Sequence, residues 1–305
     1  MVVGRVIQEQ KNYYLVDISA EIPVRAVLKG VAKSKQKRIS VGDFVEVELF
    51  DGISDNAVIR KVLPRKNHLN KPAIANIDNI FFVNCLIDPL IDFNYIDKFL
   101  FCAAVKNIPV TLIFNKCDIL SETQIAELQK IAEIYENAGV SVIFTSINDK
   151  KSIAKVLEAA KDKVSVFAGQ SGVGKSSVMQ ILFPDEYFAV QELSAHLLRG
   201  KNTTSHTTLL ALKDNTSGLS AGFIADTPGF SVFEMPDVEP QFVAAYFPDF
   251  VKVLEKSPCR FSNCSHKNEP DCSIKAAIGN SEIANSRMVS FLKIFDEMTE
   301  KKRAY

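Results

Sequence analysis

Over the first 66 residues, apolar and polar positions alternate in short runs at Gly4–Ile7, Tyr13–Asp17, Val24–Leu28, Phe44–Leu49 and Ala57–Val62. Charged or turn-forming segments such as Lys29–Ser40 and Asp51-Gly52 separate them. Alternation of period two marks a strand with one buried face. Five short strands in so small a segment predict a closed barrel of the oligonucleotide-binding type, because closure removes edges that would otherwise need protection. Pro64–Pro72 is polar, bounded by two prolines, and reads as a linker. Beyond it the pattern changes. Apolar runs at Ile80–Asn84, Val110–Asn115, Val140–Thr145, Val164–Ala168 and Gly222–Asp226 alternate with amphipathic segments at about Asn94–Val105, Glu122–Asn137, Ile153–Lys161 and Lys175–Leu182. Continuous apolar strands alternating with helices predict a mostly parallel sheet covered on both faces, with ligands at the carboxyl ends of its strands. After Glu234 two further helices are expected, Gln241–Leu254 and Ile274–Asp296. The expected architecture is multi-domain α/β: a barrel over 1–66, an α/β domain over 67–234 and a helical domain over 235–305.

Four strand ends and one loop carry chemistry. Val164–Ala168 runs into Gly169-Gln170-Ser171-Gly172-Val173-Gly174-Lys175-Ser176-Ser177, the pattern G-x-x-x-x-G-K-[ST] between a strand and a helix. There the backbone N–H groups of a glycine-rich turn and the positive end of the helix cradle phosphate oxygens; Lys175 reaches the β- and γ-phosphates and Ser176 ligates Mg²⁺. The strand Val110–Phe114 ends in Asn115-Lys116-Cys117-Asp118. The Asp118 carboxylate accepts from the N1–H and 2-amino group of guanine together, donors that adenine lacks, while Asn115 braces the loop and the Lys116 stem covers the base. At Thr145-Ser146 a backbone N–H is placed to meet the guanine oxygen. The last strand ends in Asp226-Thr-Pro-Gly229, where Asp226 would hold a Mg²⁺-bound water and the Gly229 N–H would sense the γ-phosphate. Between lies the polar stretch Gly200–His206, expected to be a switch loop in which Thr204, ahead of Thr203, supplies a hydroxyl to Mg²⁺. A kinase or ATPase would share the phosphate loop but has no use for Asn115–Asp118, so the expected ligands are GTP and GDP. The guanine motif precedes the phosphate loop, the reverse of the usual GTPase order. The same sheet results if the old chain ends are joined near Ala154–Lys163 and new ones opened elsewhere, a circular permutation.

Cys259, Cys264, His266 and Cys272 form the pattern C-x₄-C-x-H-x₅-C. Four soft or borderline donors in one loop suit a structural, tetrahedral Zn²⁺ better than disulfides. That ion would pin together two helical segments too small to bury much apolar surface alone. Cys85, Cys102 and Cys117 stand singly in apolar runs and read as small buried hydrophobes.

The whole-chain charge, 36 basic against 36 acidic side chains, points to no nucleic-acid partner. Its distribution does: residues 1–66 hold 12 Lys or Arg against 8 Asp or Glu, with Lys33, Lys35, Lys37 and Arg38 in one loop of the expected barrel. That segment is either a phosphate-backbone footprint or a solvated loop on a barrel that only docks. No run approaches the roughly 18 apolar residues of a membrane span, and the first residues alternate rather than form a signal core, so the expected location is the cytoplasm without membrane contact.

Together these features resemble the circularly permuted, ribosome small-subunit-dependent GTPases, bacterial factors in late maturation of the small subunit. The resemblance covers nearly the whole chain and rests on the barrel, Arg65-Lys-Asn-His with Ala75-Asn-Ile-Asp78, Asn115–Asp118, Gly169–Ser177, Thr203-Thr204, Asp226–Phe230 and the cysteine cluster. It implies GTP hydrolysis stimulated by the small subunit, contact with its rRNA, a monomer, and zinc on Cys259, Cys264, His266 and Cys272. One departure is Asn202, where the family often has His before the paired threonines. Phe230 stands where many GTPases carry a water-orienting glutamine, so slow intrinsic turnover completed by a partner is expected. His206 reads first as a solvated loop histidine and second as a helper of hydrolysis in cis. The closeness of Asp226–Gly229 to the helical domain further suggests that the γ-phosphate signal is passed to the zinc loop.

Overall fold

The computed structural model describes residues 1–20, 22–28, 38–50, 57–184, 207–213, 220–226 and 230–303. They form two compact units, 1–83 with 145–231 and 84–144 with 232–305, so the residues between 67 and 234 divide between both.

In the first unit, β1 (Val2–Glu9), β2 (Tyr14–Asp17), β3 (Val24–Leu28), β4 (Phe44–Leu49) and β5 (Ala57–Val62) pair in the order β1-β2-β3-β5-β4, and β1 pairs with β4 to close a barrel. Inward positions alternate as expected, with Val6, Val16, Val24, Ala26, Val45, Val47 and Ile59 buried together. Gly4 is required where β1 crosses β2: a Cβ there would lie 2.6 Å from Val16 and 2.7 Å from the Asp17 carbonyl. Arg38 belongs to the described residues; Lys33, Lys35 and Lys37 lie outside them.

The segment expected to be a linker is instead a brace. β6 (His68–Asn70) and β7 (Ala73–Ala75) make a hairpin. Arg65 grips the fully buried Asp43 with two bonds, Nε to Oδ1 at 2.6 Å and Nη2 to Oδ2 at 2.7 Å. Asn76 donates to the Gly42 carbonyl at 3.0 Å, and Asp78 accepts from the Val164 N–H at 2.8 Å. Two prolines signalled a break in regular structure, but a charged pair buried on the barrel fixes the segment to both neighbours.

β8 (Asn79–Asn84), β11 (Val164–Ala168) and β13 (Ser220–Asp226) run parallel, with β11 between the other two. Every residue of β8 and β11 is buried, as a sheet covered on both faces demands. A further strand, β12 (Thr208–Lys213), which carries no clear alternation of its own, pairs antiparallel with β13 and, through Gln8 opposite Thr208, with barrel strand β1. Barrel and phosphate-loop sheet are therefore continuous.

In the second unit β9 (Val110–Phe114) and β10 (Ser141–Phe144) are parallel. α1 (Phe93–Val105) and α2 (Glu122–Asn137) belong with them, α2 opening on a Ser121/Gln124 capping box. The first unit holds α3 (Lys150–Ala160) and α4 (Lys175–Leu182). The expected helix 241–254 is divided at Phe247: a 3₁₀ segment Pro240–Tyr246 precedes α5 (Pro248–Lys256), because Pro248 has no N–H to continue the ladder. The expected helix 274–296 is likewise two, α6 (Ser273–Gly279) and α7 (Asn285–Arg303). Phe101 and Cys102 of α1 share one core with Phe247, Phe250, Ile274, Phe291 and Ile294. None of the described helices is long and apolar enough to cross a membrane.

Candidate nucleotide site and metal centre

β11 delivers Gly169 to a place where no side chain fits: φ is +140° and a Cβ would lie 2.2 Å from the Val83 carbonyl. Its N–H donates to the Phe230 carbonyl at 3.0 Å, which ties the loop's first residue to the residue after Asp226–Gly229. Gly172 (φ +85°) and Gly174 (φ +93°) take left-handed turns, and Gly174 caps α4. Val173 points inward, buried, as the anchor between them. Gln170 and Ser171 complete the turn, and Ser176, exposed, and Ser177 stand in the first turn of α4. Lys175 folds back over the loop, its Nζ donating to the carbonyls of Gly169 and Gln170 at 2.7 Å each. Burial holds its pKa below the ordinary value. A helix N-terminus, an arc of turn amides and a poised ammonium make an anion-binding cradle.

The guanine motif likewise starts where β9 ends. Asn115 is buried and its N–H donates to the Asn84 carbonyl at 2.8 Å. Lys116 is left-handed (φ 62°, ψ 33°) and opens the 3₁₀ turn Cys117–Ile119 that presents Asp118. Its Nζ donates to the Asp88 carbonyl at 2.8 Å and lies 3.3 Å from the Asp88 carboxylate. Cys117 closes inward, Sγ to the Phe114 carbonyl at 3.2 Å. At the other candidate turn, Ser146 is buried, its N–H donates to Ser152 Oγ at 3.1 Å and its hydroxyl accepts from the Asn148 N–H at 3.0 Å. That N–H is thus engaged within the protein. Asp226 is the last residue of β13, as expected. Thr203, Thr204, His206 and Gly229 lie outside the described residues.

Cys259, Cys264, His266 and Cys272 bring one donor atom each to within 4.8 Å of all the others. Cys259 Sγ stands 3.6 Å from His266 Nδ1 and 3.9 Å from Cys272 Sγ, and Nδ1 is 3.4 Å from Cys272 Sγ. Tetrahedral zinc with ordinary bond lengths requires S···S of about 3.8 Å and S···N of about 3.6 Å, so the donor set fits the ion. Burial keeps the His266 pKa low, which favours the neutral imidazole a metal needs. Burial opposes ionisation of Cys259, but the backbone N–H of Ser273 and the neighbouring thiols outweigh it and lower its pKa.

Several participants carry no sequence signal. Glu269 sits between the third and fourth ligands and accepts from the Ser265 N–H and Oγ at 2.7 and 2.6 Å, fixing the turn that presents His266. Asp88, Ser152, and the carbonyls of Val83 and Phe230 act through backbone geometry or over distances in sequence that no motif spans. Deeper in the second unit Arg287, 2 % exposed, bonds Asp249 bidentately at 2.9 Å (Nε and Nη2) and Asp97 through Nη1, with its guanidinium over the Phe247 ring at 4.7 Å. Asp97 lies on α1, Asp249 on α5 and Arg287 on α7.

The sequence model of the RsgA GTPase family matches residues 62–236. A protein of Alkaliphilus metalliredigens named small ribosomal subunit biogenesis GTPase RsgA is 33% identical, covering 98% of this chain and 99% of that one. Its namesake in Thermotoga petrophila is 35% identical over 90% of this chain and 89% of its own. Among solved structures, YjeQ from Thermotoga maritima superposes with a TM-score of 0.81 at 31% identity, covering 98% of both chains. YloQ, described as a circularly permuted GTPase, gives 0.80 at 26% identity over 99% of this chain and 96% of that one. The family model covers more than half of the chain and these relatives align over nearly all of it, so the chain belongs to the RsgA GTPase family.

Proposed function

We propose that this protein binds the small ribosomal subunit during its late maturation and hydrolyses GTP to GDP and phosphate, with the subunit accelerating turnover. The observation that carries the reading is the Gly169–Ser177 cradle with Lys175 poised over it, in a chain that also carries Asn115–Asp118. Asp118 reads the guanine edge, Lys116 covers the base, and Asn115 and Cys117 hold the turn; Ser146 shapes the turn that follows β10. Gly169, Gln170, Ser171, Gly172, Val173, Gly174 and Ser177 position the phosphates. On GTP binding the Lys175 ammonium exchanges its two carbonyl partners for phosphate oxygens. Ser176 and Thr204 would offer hydroxyls to Mg²⁺, Asp226 would hold a Mg²⁺-bound water, and the Gly229 N–H would sense the γ-phosphate. Water then attacks the γ-phosphorus and the bond to the β-phosphate oxygen breaks. The cradle's contribution is positioning and neutralisation of charge developing on the phosphoryl oxygens.

In this reading residues 1–66 form an RNA-facing barrel, 67–234 the permuted GTPase domain and 235–305 a zinc-stabilised helical module, in a cytoplasmic monomer. Arg25, whose guanidinium stands 5.5 Å from the Tyr13 ring, and Arg38 supply cationic groups on the barrel for rRNA phosphate. Cys259, Cys264, His266 and Cys272 would hold zinc in a structural role, since together they supply four protein donors. Phe230 is buried and brings no polar atom on its side chain to orient water, which supports completion of the site by the subunit. Turnover measured with and without purified small subunits tests the proposal: a large stimulation is expected, and equal rates would contradict it.

A further inference from the structure

We propose that Asp88 is a positioning residue of the guanine site, holding Lys116 so that its aliphatic stem lies across the base; this rests on the guanine reading of Asn115–Asp118. The residues 85–92 between β8 and α1 form a tight turn. Cys85, 3 % exposed, staples it from inside, its thiol donating to the Asp88 carbonyl at 2.7 Å and lying 3.4 Å from that of Pro89. The Ile91 N–H closes the turn onto the Leu86 carbonyl at 3.1 Å, and Asp92 caps α1. The turn's outer rim is thereby fixed with the Asp88 carbonyl and carboxylate both directed at the Lys116 ammonium, at 2.8 and 3.3 Å.

A lysine stem has four rotors, and a base-covering role needs nearly all of them fixed. Lys116 starts from a left-handed backbone that a side chain with a Cβ adopts only when its surroundings hold it there. Its far end is anchored on Asp88. A lysine tethered at both ends presents its methylenes as a ready surface, so the entropy of ordering the stem is lost before the nucleotide arrives rather than on binding. The Asp88 side chain is 81 % exposed, so it is accessible to substitution without disturbing a core. Substitution removes only the carboxylate arm, since the carbonyl remains.

The test is calorimetric titration of GDP and of a non-hydrolysable GTP analogue into the full chain, for Asp88→Ala, Asp88→Lys, Lys116→Met and the two double variants, with melting temperatures alongside. Asp88→Ala is expected to weaken both nucleotides about threefold, the scale of an exposed ion pair, and Asp88→Lys about tenfold by setting a second ammonium against the first. The Asp88→Lys loss should shrink as salt is raised. In turnover assays KM rises and kcat holds, melting temperatures stay at wild type, and in the Lys116→Met background neither substitution costs further affinity. An equal loss in that background would show that Asp88 acts on the fold and not through Lys116, and no loss in Asp88→Lys would show that the anchor is idle; either overturns the proposal. If Asp118→Asn bound GDP as the wild type does, the guanine reading itself would fall, a failure distinct from the other two.

Discussion

The Gly169–Ser177 loop and the Asn115–Asp118 turn of this chain are built into different compact units, and each is fastened to a different accessory module. In the first unit the strand that delivers Gly169 lies in a sheet continuous with the barrel, through β13, β12 and β1, and the Arg65–Asp43 brace reinforces the junction. In the second, β9 delivers Asn115–Asp118, and α1 shares a core with the helices of the Cys/His module, locked by Arg287 on Asp97 and Asp249. The fastenings differ in kind. One is mainly backbone pairing with a single buried ion pair at its edge; the other is an apolar core built around a buried charge triad. Adjacency in sequence suggests that the zinc module answers to the γ-phosphate turn. The packing adds another route, because the module packs on α1, the helix that leads into β9 and the Asn115–Asp118 turn.

The largest effect should come from the triad. Arg287→Met leaves Asp97 and Asp249 buried without their cation, and breaking a buried pair on one side costs about 3–5 kcal/mol. A urea titration should show it as loss of structure in 84–144 and 232–303 ahead of the barrel. Arg65→Ala is the counterpart. It strands the fully buried Asp43 carboxylate, and a cost of about 3 kcal/mol should fall on the barrel and residues 64–78. If both variants unfolded the whole chain in one step, the division into two fastened pairs would be wrong.

Next in size are the ligand effects. Lys175→Ala removes a cation placed for the developing phosphoryl charge, and turnover should fall at least about a hundredfold with the urea midpoint unchanged. Removing metal with a chelator should loosen α5 to α7 and raise hydrogen exchange there, with the barrel unaffected.

How much of this was legible in the sequence depends on the range of the interaction. Val24–Leu28, Phe44–Leu49, Ala57–Val62, Val164–Ala168 and Glu122–Asn137 were read with the boundaries the structure gives, because each carries its own periodicity. β12 was missed, since Thr208-Leu-Leu-Ala-Leu-Lys213 alternates poorly and is a strand only by lying against β13 and β1. The phosphate loop and the metal ligands are local motifs and were readable. Arg287, Asp97 and Asp43 were not. A lone charge in an amphipathic helix or a barrel turn looks like solvent-facing surface until its distant partner is in place. Thr204 and Gly229 were named from motif position alone and lie outside the described residues.

The smallest effect is a matter of pH in the metal loop. Three backbone N–H groups and a serine hydroxyl hold the Glu269 carboxyl at about 2 against its ordinary 4.5, with the Ser265 hydroxyl the main cause. A carboxylate depressed on folding contributes stability that is complete above about 4.5 and lost as pH falls through about 2. Glu269 is exposed enough for solvent to screen much of this, so Glu269→Gln should flatten the acid limb of stability by under about 1 kcal/mol.

Native-state hydrogen exchange on Arg287→Met tests the central division most directly. Faster exchange confined to α1, α2 and residues 248–303, with β11, α4 and the barrel as in the wild type, is the predicted result. Equal acceleration at Val164–Leu182 would contradict it, because the phosphate loop would then depend on the same core as the zinc module.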